Sequence, residues 1–428
     1  MEVKLTDCYT LSDGKALMSG TEALVRLLLE QSRIDRLNGL RTKGLVSGYP
    51  GSPLGGLDIA LGKAKAFLDE EGIHFQPAVN EELAATALWG SQHINLYDNP
   101  DIQGVFSMWY GKGPGLDRAM DALRHANQGG VAPHGGMVIA VGDDPTGKSS
   151  TLAYQSDQNF HSLGIPYFFP KNVSDIIPMG LEAFALSRYS GCCVGLKIVV
   201  DTADSNAVVD MSKLRPSLPI LKPNSLVHVT KHDPASVRES KLHDVRLPAV
   251  QTWCENSENV AQVYLPAKKG ETRLGIIGVG KIANEVNEAL AGLLPDRGKK
   301  NTVAFTAINM PWPLPEKKIS TMLSVVEEVL VIEEKRSFVE EQIAKICLKQ
   351  DRHILLSGKT NPDGTNLLPS YGELSLEDIL NVIAARASHH SIALNPIEKA
   401  PVVSPLSEIP IRQPYYCAGC PHNSSTKV

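Results

Sequence analysis

Lys43-Gly44-Leu45-Val46-Ser47, followed by Gly48-Tyr49-Pro50-Gly51-Ser52-Pro53, is the stretch on which the fold turns. A short run with an apolar centre suits a buried strand better than a helix, and the glycines and prolines behind it end it abruptly. Residues 54–69 return to helical spacing, so the unit reads strand, sharp turn, helix. The alternation extends both ways. Upstream, Ser19-Gly20-Thr21-Glu22 is a capping box, and Ala23, Leu24, Leu27 and Leu28 recur behind it at helical spacing. Downstream, Asn80 is placed to cap a helix through Glu81, Leu83, Ala84 and Leu88, with Glu81 in its first turn. Gly104 to Met108, Gly136 to Val141 and Gly195 to Val200 read as further strands, separated by helical stretches at 116–127 and 176–188. This pattern over residues 1–215 predicts an α/β fold with a doubly wound parallel sheet.

Residues 216–265 are polar, proline-spotted and weakly periodic, and read as an irregular connector. A second α/β unit follows over 266–395. Its strands are Arg273 to Ile277, Thr302 to Ala307 and Glu328 to Ile332, and they alternate with helices at 281–293, 316–325 and 338–348. From Asn395 the chain turns extended, with Pro396, Pro401, Pro405, Pro410, Pro414 and Pro421, which is linker composition.

The 428 residues correspond to about three domains at roughly 150 residues each. With 43% hydrophobic and 21% charged residues, disordered, collagen-like and coiled-coil classes drop out. Lys and Arg (42) against Asp and Glu (47) leave a net charge of −5, which offers no footprint for DNA or RNA. No run of 18 apolar residues exists and the opening residues are polar, so neither a membrane span nor a signal peptide is expected, and the predicted compartment is the cytoplasm. The seven cysteines are too few and too irregular for a disulfide framework.

Four motifs bear on chemistry. Gly142-Asp143-Asp144-Pro145-Thr146-Gly147-Lys148-Ser149 satisfies the P-loop pattern, and Leu196 to Val200 with Asp201 imitates a strand ending in a magnesium ligand. Against a nucleotidase, Asp143 and Asp144 put carboxylates where phosphates would sit, and Pro145 removes one of the N–H donors that an anion nest needs. Gly278-Val279-Gly280-Lys281-Ile282-Ala283 resembles a dinucleotide turn but has no acidic residue at the end of the next strand, so a structural glycine turn is the better reading. Cys417-Ala418-Gly419-Cys420 has ligand-like spacing, yet two thiolates cannot complete a tetrahedral zinc or iron–sulfur site, and no second pair is present. Placed at the end of the linker, the pair is expected to open a further domain that this chain does not include. Glu81 and Glu82 are first-turn acids, which the helix macrodipole alone would favour.

Taken in order, several segments resemble one family, the 2-oxoacid:ferredoxin oxidoreductases, and within it the fused single-chain indolepyruvate ferredoxin oxidoreductases. They are Ser47 to Pro53, Asn80-Glu81-Glu82-Leu83-Ala84, Gly111-Lys112-Gly113-Pro114-Gly115-Leu116, Asp143-Asp144-Pro145 with Ser149-Ser150, Val331-Ile332-Glu333-Glu334-Lys335, and Cys417-Ala418-Gly419-Cys420-Pro421-His422. The resemblance implies that residues 1–215 are the pyrimidine-binding domain of a thiamine diphosphate enzyme and 266–395 a transketolase C-terminal-like domain. Residues 396–428 would enter a diphosphate-binding, iron–sulfur domain.

It implies oxidative decarboxylation of a 2-oxo acid, indolepyruvate or another aryl pyruvate, to the acyl-CoA, with electrons passing through iron–sulfur clusters to ferredoxin. The implied cofactors are thiamine diphosphate, Mg²⁺ and a [4Fe–4S] cluster, and the implied assembly is a homodimer. Glu81 is the implied catalytic carboxylate, hydrogen-bonded to the aminopyrimidine so that it favours the imino tautomer. Glu82 is its neighbour and competitor. Tyr49, Pro50 and Gly51 are implied to line the cofactor, Ser52 to meet the substrate or serve only as a turn residue, and Cys417 and Cys420 to hold the cluster or, with the same spacing, zinc. The family's GDG…N magnesium motif is absent, the nearest string being Pro362-Asp363-Gly364-Thr365-Asn366. The alternatives are a P-loop nucleotidase and a non-catalytic structural subunit.

Overall fold

A computed structural model describes residues 4–148, 150, 152–294, 302–350, 353–396 and 424. After a single helical turn at Asp7–Thr10 comes β1 (Lys15–Ser19), whose last residue caps the Gly20–Leu37 helix through the expected capping box. The next strands are β2 (Thr42–Gly48), β3 (Ile73–Phe75), β4 (Gly104–Lys112), β5 (Met137–Asp143), β6 (Tyr167–Phe168) and β7 (Val194–Val199). These six form one parallel sheet in the order β3-β2-β4-β5-β7-β6. Strand β8 (Asn206–Asp210) returns to pair antiparallel with β1 in a separate ribbon.

Crossovers run outward in both directions from the centre of the six-stranded sheet, so right-handed connections place helices on both faces. The Glu81–Ser91 and Gly113–Gly129 helices pack together as one layer. The Gly20–Leu37 helix packs with Val173–Ser190 and Leu57–Lys63 in the other. This is the doubly wound parallel sheet that the alternation predicted.

Residues 216–265 differ from the irregular connector that their composition predicted. They hold the helices Ala235–Lys241 and Leu247–Asn256, a wider helical turn over Leu242–Arg246, and the strand β9 (Ala261–Leu265). Long-range polar contacts secure this segment. Arg246, fully buried, donates to the carbonyls of Asn127 (3.2 Å), Gln128 (2.7 Å), Gly129 (3.0 Å) and Val227 (2.6 Å). Buried Glu182 accepts from Trp253 Nε1 (2.9 Å), Ser257 Oγ (2.5 Å) and Asn259 Nδ2 (2.6 Å). Buried polar groups matched this completely fix a segment that has little apolar periodicity of its own.

The second sheet adds β10 (Leu274–Val279), β11 (Val303–Ile308), β12 (Glu328–Ile332) and β13 (Leu355–Ser357), in the order β13-β12-β10-β11-β9, parallel except for the edge strand β9. The larger apolar core runs from the first sheet into one side of the second, while the smaller packs Ile276, Phe305 and Leu330 against the Ile282–Leu293 and Leu376–His389 helices. Among the described residues, no helix is long and apolar enough to cross a membrane.

Candidate active site

In an open parallel sheet, ligands bind beyond the carboxyl ends of the strands where the crossover direction reverses. In the first sheet that point lies between β2 and β4, because β2 leads outward to β3 and β4 leads the opposite way to β5. The Tyr49 to Pro53 turn leaves β2 here, and the Gly113–Gly129 helix leaves β4 beside it. The two strand ends approach closely: a Cβ on Gly48 would lie 2.1 Å from the Tyr110 carbonyl, and one on Gly51 would lie 3.0 Å from Lys112 Cδ. Glycine is therefore required at 48, and Gly51 makes room for the lysine stem.

Glu81 enters the same crevice from the next helix. Asn80 caps that helix by accepting from Leu83 N at 2.9 Å, and the Glu81 carbonyl accepts from Trp109 Nε1 at 3.0 Å. Both contacts fix the first turn against β4. Glu81 is 7% exposed whereas Glu82 is on the solvent side. The Glu81 carboxylate lies against the start of the Gly113–Gly129 helix, where a Cβ on Gly115 would stand 2.7 Å from Oε1. Arg118 Nε is 3.9 Å from Oε2. Among the described residues no hydrogen bond engages the carboxylate, so a buried acceptor is held ready with its hydrogen-bonding capacity unspent. Those features fit a ring nitrogen that carries or shares a proton.

The structure thus brings Glu81 and the Tyr49 to Ser52 turn to one crevice. Tyr49 is 40% exposed, and its N–H donates to the Tyr110 carbonyl at 3.1 Å. Pro50 is exposed, and Gly51 and Ser52 are half-buried. Lys112, Gly115 and Arg118 also line this place. Sequence reasoning had assigned none of them a role, although Lys112 and Gly115 lie inside the quoted Gly111 to Leu116 motif.

The switch point of the second sheet, between β10 and β12, is filled by the protein itself. Lys281 there is ion-paired with Asp201 and Glu373 and lies 3.6 Å from Glu285. Gly280, in the turn after β10 at φ +54°, has Phe169 where a Cβ would go, as a structural glycine turn requires.

The P-loop pattern finds no support in the geometry. Asp143 ends β5 and its carboxylate accepts from Ser156 N (2.9 Å) and Oγ (2.8 Å). Asp144 Oδ1 accepts from the N–H groups of Gly147 (2.8 Å) and Lys148 (3.2 Å), so a carboxylate of the chain occupies the place a phosphate would need. The next helix begins only at Asp157. Pro362 to Asn366 is likewise a self-satisfied turn, with exposed Asp363 Oδ1 accepting from Thr365 N (2.9 Å) and Oγ1 (2.6 Å), and it does not fit a magnesium site.

A family profile described as "Indolepyruvate oxidoreductase domain" matches residues 266–402. Relatives described as "Indolepyruvate oxidoreductase subunit IorA" align along nearly the whole chain. The protein from Methanothermobacter marburgensis is 27% identical over 425 residues, covering 99% of this chain and 61% of its own. That from Pyrococcus abyssi is 25% identical over 440 residues, covering 99% and 60%. Along nearly its whole length the chain is similar to these indolepyruvate oxidoreductase subunits. It spans about three fifths of the length of these curated relatives.

Among solved structures, a 2-oxoglutarate:ferredoxin oxidoreductase from Magnetococcus marinus, solved with 2-oxoglutarate, coenzyme A and succinyl-CoA bound, superposes with a TM-score of 0.60 at 17% identity. That match covers 87% of this chain and 65% of that one. A split-gene transketolase, an inactive β4 tetramer, gives 0.52 at 11% identity and covers 87% and 98%. These likenesses are ones of α/β fold.

The Val331 to Lys335 motif has a structural role of its own. The Glu333 carboxylate accepts three backbone N–H groups, from Phe338, Val339 and Glu340, each at 2.9 Å, and so caps the Val339–Cys347 helix. Lys335 Nζ donates to the Pro145 carbonyl at 2.8 Å, and Arg336 Nη2 to Gln158 Oε1 at 3.2 Å. This motif joins the two sheets. Cys417 and Cys420 lie outside the described residues, as do Ser149 and most of the 396–428 segment.

Proposed function

We propose that this chain carries the aminopyrimidine side of a thiamine diphosphate site in an enzyme that oxidatively decarboxylates a 2-oxo acid, indolepyruvate or another aryl pyruvate. The acyl group passes to coenzyme A, and the electrons pass through iron–sulfur clusters to ferredoxin. The observation that carries this reading is the buried Glu81 carboxylate, uncommitted to any hydrogen bond among the described residues, at the switch point between β2 and β4. In this reading residues 1–215 are the pyrimidine-binding domain, 216–265 the connector and 266–395 the transketolase C-terminal-like domain. Residues 396–428 open the diphosphate-binding, iron–sulfur domain, and the assembly is a homodimer.

When bound, thiamine supplies a carbon acid that adds to the keto group and accepts the electron pair left by departing CO2. The residues of this chain prepare it. Glu81 accepts a hydrogen bond from a proton-bearing ring nitrogen and sets the tautomer, Arg118 lies beside the carboxylate, and Trp109 holds the backbone under it. The missing Cβ at Gly115 leaves Glu81 room to lie flat against the helix start. Tyr49, Pro50 and Gly51 shape the mouth, and Ser52 offers a hydroxyl to substrate. Cys417 and Cys420 are proposed as cluster ligands on spacing and resemblance alone.

The test is turnover by the complete enzyme. Indolepyruvate and phenylpyruvate should be oxidised with ferredoxin or a viologen dye only when thiamine diphosphate and coenzyme A are supplied. Turnover independent of thiamine, or confined to short aliphatic 2-oxo acids, would overturn the reaction class or the substrate class respectively.

A further inference from the structure

Among the lysines at or just beyond the carboxyl ends of the first sheet, or reaching across to them, are Lys112, Lys148, Lys197 and Lys335. Three are committed. Lys197 Nζ lies 2.6 Å from Asp157 Oδ2 and 3.5 Å from Asp143 Oδ2, and with these carboxylates close by, its pKa is pushed up to about 12 despite burial. Lys335 donates to the Pro145 carbonyl, and Lys148 Nζ is 3.6 Å from Glu373. Lys112 is different. It is the last residue of β4, half-buried, and no acid or side-chain acceptor pairs with it among the described residues.

Its placement is also specific. The Lys112 stem crosses the turn after β2, with Cδ, Cγ and Cβ at 3.0, 3.1 and 3.4 Å from where a Gly51 Cβ would be. Three residues on, Gly115 touches the Glu81 carboxylate. The lysine stem therefore lies at the same crevice as Ser52 and Glu81, on the strand end between them. A half-buried cation loses part of its hydration and, without an internal partner, gains most from an anionic ligand.

We propose that Lys112 is the counter-ion for the carboxylate of the 2-oxo acid substrate, a specificity residue that selects acids over their neutral analogues. This rests on the thiamine reading above. The pairing holds the carboxylate before CO2 leaves and makes no bond to it. It strengthens substrate binding without favouring the departure of CO2, so its loss falls on KM and not on kcat.

The experiment uses the complete enzyme with saturating thiamine diphosphate and coenzyme A, comparing wild type, Lys112→Met and Lys112→Arg. Lys112→Met should raise KM for indolepyruvate and phenylpyruvate roughly 10- to 100-fold, the range for losing a hydrogen bond between charged groups, and leave kcat within about threefold. Lys112→Arg should recover most of the loss, and KM for coenzyme A should not move. Binding is read separately with 3-phenylpropionate and its amide as unreactive probes. Wild type should prefer the acid and Lys112→Met should bind both alike.

An unchanged KM for the 2-oxo acid, a rise in KM for coenzyme A instead, or retained preference for the acid in Lys112→Met would overturn the assignment. If Lys112→Met does not fold, Lys112→Arg and the acid-to-amide preference of wild type still decide: indifference of wild type to the amide refutes it. Failure of the thiamine reading looks different, since wild-type turnover would then not depend on thiamine diphosphate at all.

Discussion

Gly115→Ala perturbs the proposed site with one carbon atom. The new Cβ would stand 2.7 Å from Glu81 Oε1, 2.8 Å from Cγ and 3.1 Å from Cδ. Relieving all three to ordinary contact of about 3.5 Å requires the glutamate side chain to move by roughly 0.5–1 Å. Rotation of the terminal carboxylate alone cannot do this, because Cγ is as close as the oxygen. Inside the Gly113–Gly129 helix the substitution gains up to about 1 kcal/mol in helix propensity, offset by an overpacking cost of about 1–3 kcal/mol. Folding should therefore lose no more than about 3 kcal/mol.

Catalysis should lose more, since a misplacement of about 1 Å in a positioned group costs up to roughly 100-fold. In the complete enzyme, kcat for indolepyruvate should fall about 10- to 100-fold while the melting temperature moves by only a few degrees. Gly90→Ala is the control. It lies on the Glu81–Ser91 helix with nothing within 4 Å of its Cβ position, and should leave activity unchanged. Wild-type kcat in a folded Gly115→Ala enzyme would refute the claim that Gly115 sets the position of Glu81.

Arg246→Met should destabilise the fold by at least about 3 kcal/mol in denaturant titration, because four carbonyls lose their donor together; a loss below about 1 kcal/mol would show that the 216–265 segment is held by other contacts. Burial pushes the Cys192 thiol up to about 12 and raises Cys193 and Cys254 as well, so a neutral maleimide should reach these three only on unfolding; labelling of any in the native protein, followed by peptide mapping, contradicts the packing. Burial also pushes Glu334 up to about 7, with Lys281 and Lys197 pulling the other way. A folded-state pKa above the unfolded one means that this group's stabilisation is full below about pH 4.5 and is lost as pH rises through 7. Glu334→Gln, which mimics the protonated side chain, should flatten the decline of Tm between about pH 5 and 7.5, and an unchanged slope would remove Glu334 from that titration.

Much of the architecture could be read locally. The Ser19 capping box, the Asn80 cap and the strand at Lys43 to Ser47 all rest on residues a few positions apart, and each is present. Edge strands were harder. β3 and β6 are three and two residues long, too short for any periodicity, and β1 with β8 pairs Leu17 to Val208 across most of the first unit. The helices of 216–265 were hidden because Arg246 and Glu182 take partners far away in sequence, and a buried arginine looks like a surface one in a composition profile.

At the site, the resemblance already preferred Glu81 to Glu82, both acidic and in the first turn, and the structure separates them by burial, with Glu81 inside and Glu82 exposed. Lys112 and Gly115 were visible as part of a motif, but what they touch depends on β2 and β4 being neighbours, a matter of topology. The P-loop pattern misled for the opposite reason: its spacing is right, yet Asp144 closes the loop on itself.

The central claim is that Glu81 sets the tautomer of bound thiamine. The most direct measurement is the rate at which the C2 proton of enzyme-bound thiamine diphosphate exchanges with deuterium, followed by acid quench and NMR. It is compared among wild type, Glu81→Gln and Glu82→Gln with no substrate present. Exchange in Glu81→Gln should slow by roughly 100- to 10,000-fold, the usual range for removing a positioned acid–base group, and Glu82→Gln should match wild type. Undiminished exchange in Glu81→Gln, or a loss confined to Glu82→Gln, would contradict it.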